Sequence, residues 1–397
     1  MRINCYNVET VLILKNCQLV TLDKVVKDAF LEIIDRKITK ISLHPLKGDR
    51  EIDLKGNIVF PGFVDTHTHG GYGYSWDDFS TKKLDDFSLN LASEGVTSFF
   101  ISCVADKLSK LENFLKFVDN YLKKSSPGAR LIGVHLEGPF IDQEKRGAHP
   151  LKFILPWDRL LLDRLIKKKR IPNIIVTYHP SSEDSPLLKS SYSGNLIASL
   201  GHSSLGFKSA VAEFKKGTKR ITHFYNAVSG FSHRRPGIVL AGLVYPFVVE
   251  LIVDGIHVDP EVVKFTYELK GPKKIILVTD SVFVKGLPDG KYFFANQEVL
   301  KENGKIISLR DGCLAGSILR FDEAVRNMAK ITNCSLSDLS RITSINPLKM
   351  TNWSSRSGYL AEGMNADFLV LDQKLNVLLT FLDGKVIYKK NGTKIKV

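Results

Sequence analysis

Apolar and polar positions run through the chain in two rhythms, and the change comes near residue 59. Before it lie short β-branched runs: TVLILKN (10–16), CQLVTL (17–22), DAFLEII (28–34), KITKISL (37–43) and GNIVFPG (56–62), parted by polar turns such as Asp35-Arg36-Lys37. Runs of this length and spacing predict strands of a small sheet or sandwich. Eight apolar runs follow: IVFPGFVDTHTH (58–69), VTSFFISC (96–103), LIGVHLEG (131–138), NIIVTYH (173–179), LIASLGH (196–202), RITHF (220–224), VVELIVD (248–254) and KIILVTD (274–280). Most are separated by stretches with Leu, Phe and Val at helical spacing, at 82–94, 108–124, 157–168 and 209–216. Eight strand–helix repeats over about 240 residues have the length of a (β/α)8 barrel. An open doubly wound sheet would compete, but no GxGxxG follows the first strand. Residues 322–329 and 335–343 then read as helices, and 366–397 returns to strands (ADFLVLD, NVLLTFLD, KVIYKK). The predicted fold is α/β, a (β/α)8 barrel over residues 58–359 with a small β-sandwich domain built from both chain termini, residues 1–57 and 360–397.

Composition changes this picture little. With 397 residues the chain exceeds what one core usually serves, and 44% hydrophobic and 25% charged residues are globular values. The net charge of +14 suits an anionic partner. It is spread along the chain without aromatic-basic interleaving, and the run Lys167, Lys168, Lys169, Arg170 reads as the solvated end of a helix, so no nucleic acid is expected. The five cysteines are scattered with no CxxC, which speaks against a disulfide framework and for a reducing, cytoplasmic setting. The opening MRINCYNVETVLILKN lacks the apolar stretch of a signal peptide. The apolar segment 238–253 is too short to span a bilayer and is interrupted by Pro246 and Glu250, so it reads as buried core and no membrane partner is expected.

Chemistry concentrates where the strands end. His67 and His69 close the first barrel run, Glu137 the third, His202 the fifth, His223 the sixth and Asp280 the eighth. In a barrel these ends converge on one face, where active sites sit, and alternation points His67 and His69 to the same side. Imidazoles and carboxylates are ligands for a divalent metal, zinc or iron by donor type. Glu137, His202 and His223 supply three ligands and leave a position for water, the pattern of a catalytic site. Asp280 beside them can take a proton from that water and pass it to a leaving amine. The reaction class this describes is metal-assisted hydrolysis of an amide or similar C–N bond.

These motifs, in this order, resemble the amidohydrolase superfamily and, within it, the N-acetylglucosamine-6-phosphate deacetylase family. The segments are PGFVDTHTHGGYG (61–73), GVHLEGPFID (133–142), EKRGAHP (144–150), LGHS (200–203), THFYNAV (222–228), HRRPG (233–237), DGIHVDP (254–260), VTDS (278–281), KGLPDG (285–290) and LAGS (314–317). HLEGPF with GAHP and THFYNA is specific, whereas an isolated HTH would be weak. The resemblance implies a main metal on Glu137, His202 and His223, with Glu137 in the bridging place that a carboxylated lysine takes elsewhere in the superfamily. His67 and His69 imply room for a second metal, hence one or two divalent ions per subunit, and Asp280 is the implied acid/base. Implied substrate contacts are Ala148, His149, Asn226, Ala227, Arg234, Asp254, His257, Leu314, Ala315 and Gly316. Arg234 faces the phosphate, on a loop that in this family reaches a neighbouring subunit, so a homodimer is implied. The implied substrate is a phosphorylated amino sugar, N-acetylglucosamine 6-phosphate, cleaved to glucosamine 6-phosphate and acetate in amino-sugar catabolism. The chain departs from the family pattern at ISCVAD in the second strand, at His179, at Arg235 and at Ser281, where a small apolar residue is usual.

Two other readings remain at this level. One keeps the metal chemistry and changes the substrate to N-acetylgalactosamine 6-phosphate, a cyclic amide or a deaminase substrate; Arg234 and the Asn226-Ala227 pair favour a phosphosugar but do not choose between C4 epimers. The other is an inactive sugar-phosphate-binding barrel, against which Asp280 and the full ligand set speak. His135, His233, His44 and His179 are read as structural.

Overall fold

The computed structural model describes residues 10–167, 169–180 and 195–397. Cys5 and Lys168 lie outside the described residues. Eight parallel strands stand side by side in chain order: Phe63–Thr68, Val96–Cys103, Arg130–Glu137, Ile174–Tyr178, Leu196–Leu200, Arg220–Ile221, Val248–Leu251 and Ile275–Leu277. The runs are near-continuously apolar because a parallel sheet is covered on both faces, and Val96–Cys103 is buried at every position. Residues just past the eighth strand close the cylinder on the first. The Asp280 N–H donates to the His67 carbonyl at 2.8 Å, and the His69 N–H donates to the Ser281 carbonyl at 2.7 Å. Helices Thr81–Ser93, Arg159–Ile166 and Pro260–Lys270 on the outside start on Ser80, Asp158 and Asp259, whose side chains each accept a first-turn N–H.

Both ends of the described chain share a second sheet. Leu12–Val20, Val25–Ile34, Lys37–Ser42, Arg50–Asp53 and Ile58–Pro61 join Phe368–Leu371, Val377–Leu382 and Lys385–Lys389. The two groups meet where Ile58–Pro61 pairs antiparallel with Phe368–Leu371. Leu14, Leu31, Val59, Phe368 and Phe381 fill the core of this sheet, with the last two rings stacked at 4.4 Å.

Local differences from the sequence reading have physical causes. The runs 10–16 and 17–22 form one strand, not two, kinked by a bulge where Asn16 adopts φ 55°. The run 58–69 is split: Ile58–Pro61 belongs to the second sheet and Phe63–Thr68 to the barrel. Gly62 between them passes so close to Thr97 that a Cβ would lie 2.1 Å from its Oγ1. The segment 238–253 is mostly buried, formed of helix Ile238–Val244 and strand Val248–Leu251, with Val244 and Pro246 exposed where the two join. A three-stranded antiparallel sheet, Gly290–Phe294, Gln297–Glu302 and Lys305–Ser308, follows the eighth barrel strand and has no counterpart in the sequence reading.

Candidate metal centre and active site

Glu137 ends the third barrel strand at the centre of a histidine cluster. Its Oε1 lies 2.8 Å from His223 Nε2, 3.1 Å from His202 Nε2 and 3.4 Å from His67 Nε2. Its Oε2 lies 3.0 Å from His69 Nε2. Asp280 Oδ1 faces the same two strand-one rings, 3.3 Å from His67 Nε2 and 3.2 Å from His69 Nε2. All six side chains are buried, and the donor atoms of His67, His69, Glu137 and Asp280 lie within 4.8 Å of one another. The six residues that the sequence assigned to metal and proton transfer are thus brought together.

The outer ring nitrogens decide what the inner ones offer. Nδ1 of His67 meets Glu250 Oε2 at 3.0 Å, that of His69 the Ser102 carbonyl at 3.1 Å, that of His202 the Lys145 carbonyl at 2.7 Å and that of His223 the Asn226 carbonyl at 3.1 Å. These partners only accept, so each Nδ1 carries the proton and each neutral ring turns an Nε2 lone pair inward. The inward-facing set is then four lone pairs and two carboxylates, all acceptors. His67 Nε2 and Asp280 Oδ1 are buried with no hydrogen-bond partner. Such a set fits a divalent cation, which the donor types also suit.

The electrostatics show what the carboxylates hold in place of a cation, a proton on the two strand-one rings. Burial opposes charge on His67 and His69, but Asp280 and Glu137 outweigh it and hold both rings above the usual histidine range, His69 at about 8. Burial raises the carboxyls of Glu137 and Asp280, yet the His67 charge and the neighbouring ring hydrogen bonds leave both below their ordinary values. His149 differs. Its Nδ1 accepts the Ala105 N–H at 3.0 Å, so its Nε2 carries a proton and points at Glu137 Oε2, 3.5 Å away. Burial and the adjacent His202 hold it down at about 4. It therefore presents an N–H donor rather than a ligand lone pair.

A cavity of about 350 Å³ opens over the cluster. His149, Ala148, Asn226, Ala227, His257, Leu314, Ala315 and Gly316 line it, as do the metal-side residues His69, Glu137, His202, His223 and Asp280. Asp254 stands behind His257 and accepts its Nδ1–H at 2.6 Å. Arg234 does not line the cavity of its own chain; it stands exposed on the 231–236 loop. The sequence reading missed Lys145, Val104, Val282, Cys313 and Phe294 on the wall, the last carried by the inserted sheet. It also missed Glu250 and Arg220 beneath His67. The available signal was a carboxylate inside a strand buried on both faces, which demands a partner.

Comparison with known proteins places the chain in a family. The Amidohydrolase family model matches residues 189–387. An N-acetylglucosamine-6-phosphate deacetylase of Bacillus subtilis (strain 168) is 35% identical over 385 residues, 95% of this chain and 97% of that protein. An N-acetylgalactosamine-6-phosphate deacetylase of Escherichia coli O157:H7 is 31% identical over 94% of this chain and 98% of that one. The crystal structure of N-acetylglucosamine-6-phosphate deacetylase from Thermotoga maritima superposes with a TM-score of 0.86 at 34% identity, covering 95% of this chain and 100% of that chain. Sharing about a third of its residues with these enzymes over nearly its whole length, and folding on the same frame, the chain belongs to the amidohydrolase family, in the group formed by the N-acetylglucosamine-6-phosphate deacetylases.

Proposed function

We propose that this protein hydrolyses N-acetylglucosamine 6-phosphate to glucosamine 6-phosphate and acetate. The observation that carries the reading is the inward set of acceptors around Glu137 beside the buried Asp280 Oδ1, which faces the His67 and His69 rings. Glu137, His202 and His223 would hold the main divalent metal, zinc or iron, and His67 and His69 would complete a second position. A metal bound there supplies a Lewis acid that polarises the amide carbonyl and lowers the pKa of the attacking water. Asp280, kept ionised by its histidine neighbours, takes the water proton at Oδ1 and delivers it to the departing amine nitrogen. His149 donates from Nε2 to a substrate oxygen, and His257, whose Nδ1–H is given to Asp254, offers its Nε2 lone pair to a sugar hydroxyl.

Ala148, Asn226, Ala227 and the Leu314, Ala315, Gly316 backbone frame the sugar. Arg234, absent from its own chain's cavity, serves the phosphate of a neighbouring copy, which makes the working unit a homodimer. A cytoplasmic setting fits a phosphorylated substrate, and no described helix is long and apolar enough to cross a membrane.

The test is acetate release from N-acetylglucosamine 6-phosphate by purified protein as isolated, after chelation, and after adding back zinc or iron. Metal-dependent release is expected. No release with metal shown to be bound would overturn the substrate. The N-acetylgalactosamine 6-phosphate epimer is the comparison substrate, because a relative of similar identity bears that name.

A further inference from the structure

The ring of His67 and the backbone of His223 meet at one atom. His67 Nδ1–H and the His223 N–H both donate to Oε2 of Glu250, at 3.0 and 3.1 Å. The other oxygen, Oε1, accepts from Nε of Arg220 at 2.6 Å. Arg220 also donates from Nη2 to Thr66 Oγ1 at 2.6 Å, one residue before His67. Thr66, His67, Arg220 and Glu250 are all 0% exposed. They come from the first, sixth and seventh barrel strands.

A buried ion pair gains little net stability over apolar side chains of similar volume, because both charges lose their water. Stability alone therefore does not account for this pair in the middle of the barrel. An anion here does something an apolar pair cannot: it takes an imidazole N–H and a backbone N–H at once. That fixes the His67 tautomer and ring plane, and the backbone that carries His223. Arg220 in turn prevents the carboxylate from rotating away.

We propose that Glu250, clamped by Arg220, is a positioning residue that holds His67 and His223, one from each half of the candidate metal centre, in a common geometry. The inference rests on the metal-centre reading given above. It makes the affinity for metal, rather than the chemical step, the property that Glu250 controls.

Zinc affinity and stoichiometry of the intact protein test it, measured by competition with a chromophoric chelator for wild type, Glu250→Gln and the double variant Glu250→Gln/Arg220→Met. Removing an outer-sphere partner of a metal ligand typically weakens binding roughly 10- to 100-fold, and that loss is expected in both variants. The double variant leaves no unpaired guanidinium, so it carries the comparison however the single variant folds; its circular dichroism and melting in the metal-free form are expected to match metal-free wild type. Wild-type zinc affinity in the double variant would overturn the assignment, because Glu250 would then serve only to neutralise Arg220. Wild type that binds neither zinc nor ferrous iron would overturn the metal-centre reading itself, and this inference with it.

Discussion

Nε2 of His202 lies 3.0 Å from Nε2 of His223. Each ring already donates from Nδ1 to a backbone carbonyl, so two neutral rings at this distance oppose lone pair to lone pair. A shared cation relieves that opposition. Stripping metal from the protein is therefore expected to lower the melting temperature by several degrees as well as abolish turnover, since a tight ligand at about 1,000 times its Kd stabilises by roughly 4 kcal/mol. Differential scanning calorimetry with and without chelator, followed by zinc or iron, checks this. An unchanged melting temperature after verified metal removal contradicts it.

Asp280→Asn is expected to retain metal and substrate while kcat falls about 10²- to 10⁴-fold, the usual weight of a positioned acid/base group. The sign with pH follows from its lowered value. The base form is present above the depressed pKa and is lost only as pH falls through it, so Asp280 is expected to stay ionised across the neutral range. Turnover of the Asn variant near the wild-type rate would remove Asp280 from the mechanism.

Arg234→Ala is expected to raise KM for the phosphorylated sugar roughly 10- to 100-fold with little change in kcat, in line with the worth of a hydrogen bond to a charged group. Because the residue stands on an exposed loop, mixing Arg234→Ala subunits with Asp280→Asn subunits gives a sharper check. If the arginine acts across a dimer, the mixture recovers activity at low substrate concentration that neither variant shows alone.

Cys313 lines the cavity, and its thiol contacts Asp311 Oδ1 at 3.0 Å. Burial first, and then the hydrogen bond and charge of Asp311, push it up to about 11. The thiolate is therefore scarce at pH 7–8 and grows in as pH rises toward that value. Alkylation by iodoacetamide is expected to be slow at neutral pH, to accelerate steeply above pH 9, and to become faster at pH 8 in Asp311→Asn. Rapid alkylation of wild type at pH 7 would show the site is not as shielded as its geometry requires.

The barrel was legible because each strand is a short β-branched run buried on both faces, and the ligands were legible because the run ends where its polar terminus enters the site. His67, His69, Glu137, His202, His223 and Asp280 all follow that rule. The inserted sheet was not legible. Its strand Gly290–Phe294 is half-exposed along its length and offers no apolar run, although Phe294 reaches the cavity. Glu250 was seen only as an interruption of an apolar segment, since nothing in a linear pattern reveals that Arg220 lies one strand away. The Ser281 hydroxyl bonds across the closing junction, 2.9 Å from Thr68 Oγ1 and 2.9 Å from the Gly70 carbonyl.

That junction ties durability to chemistry. The amides of Asp280 and His69 are the stitches joining the last staves of the cylinder to the first, so the residues proposed for the reaction are also the cooper's hoop. The wall cannot breathe at this point without parting His67 from Asp280. An alteration that loosens the barrel here separates the two side chains on which the proposed chemistry depends.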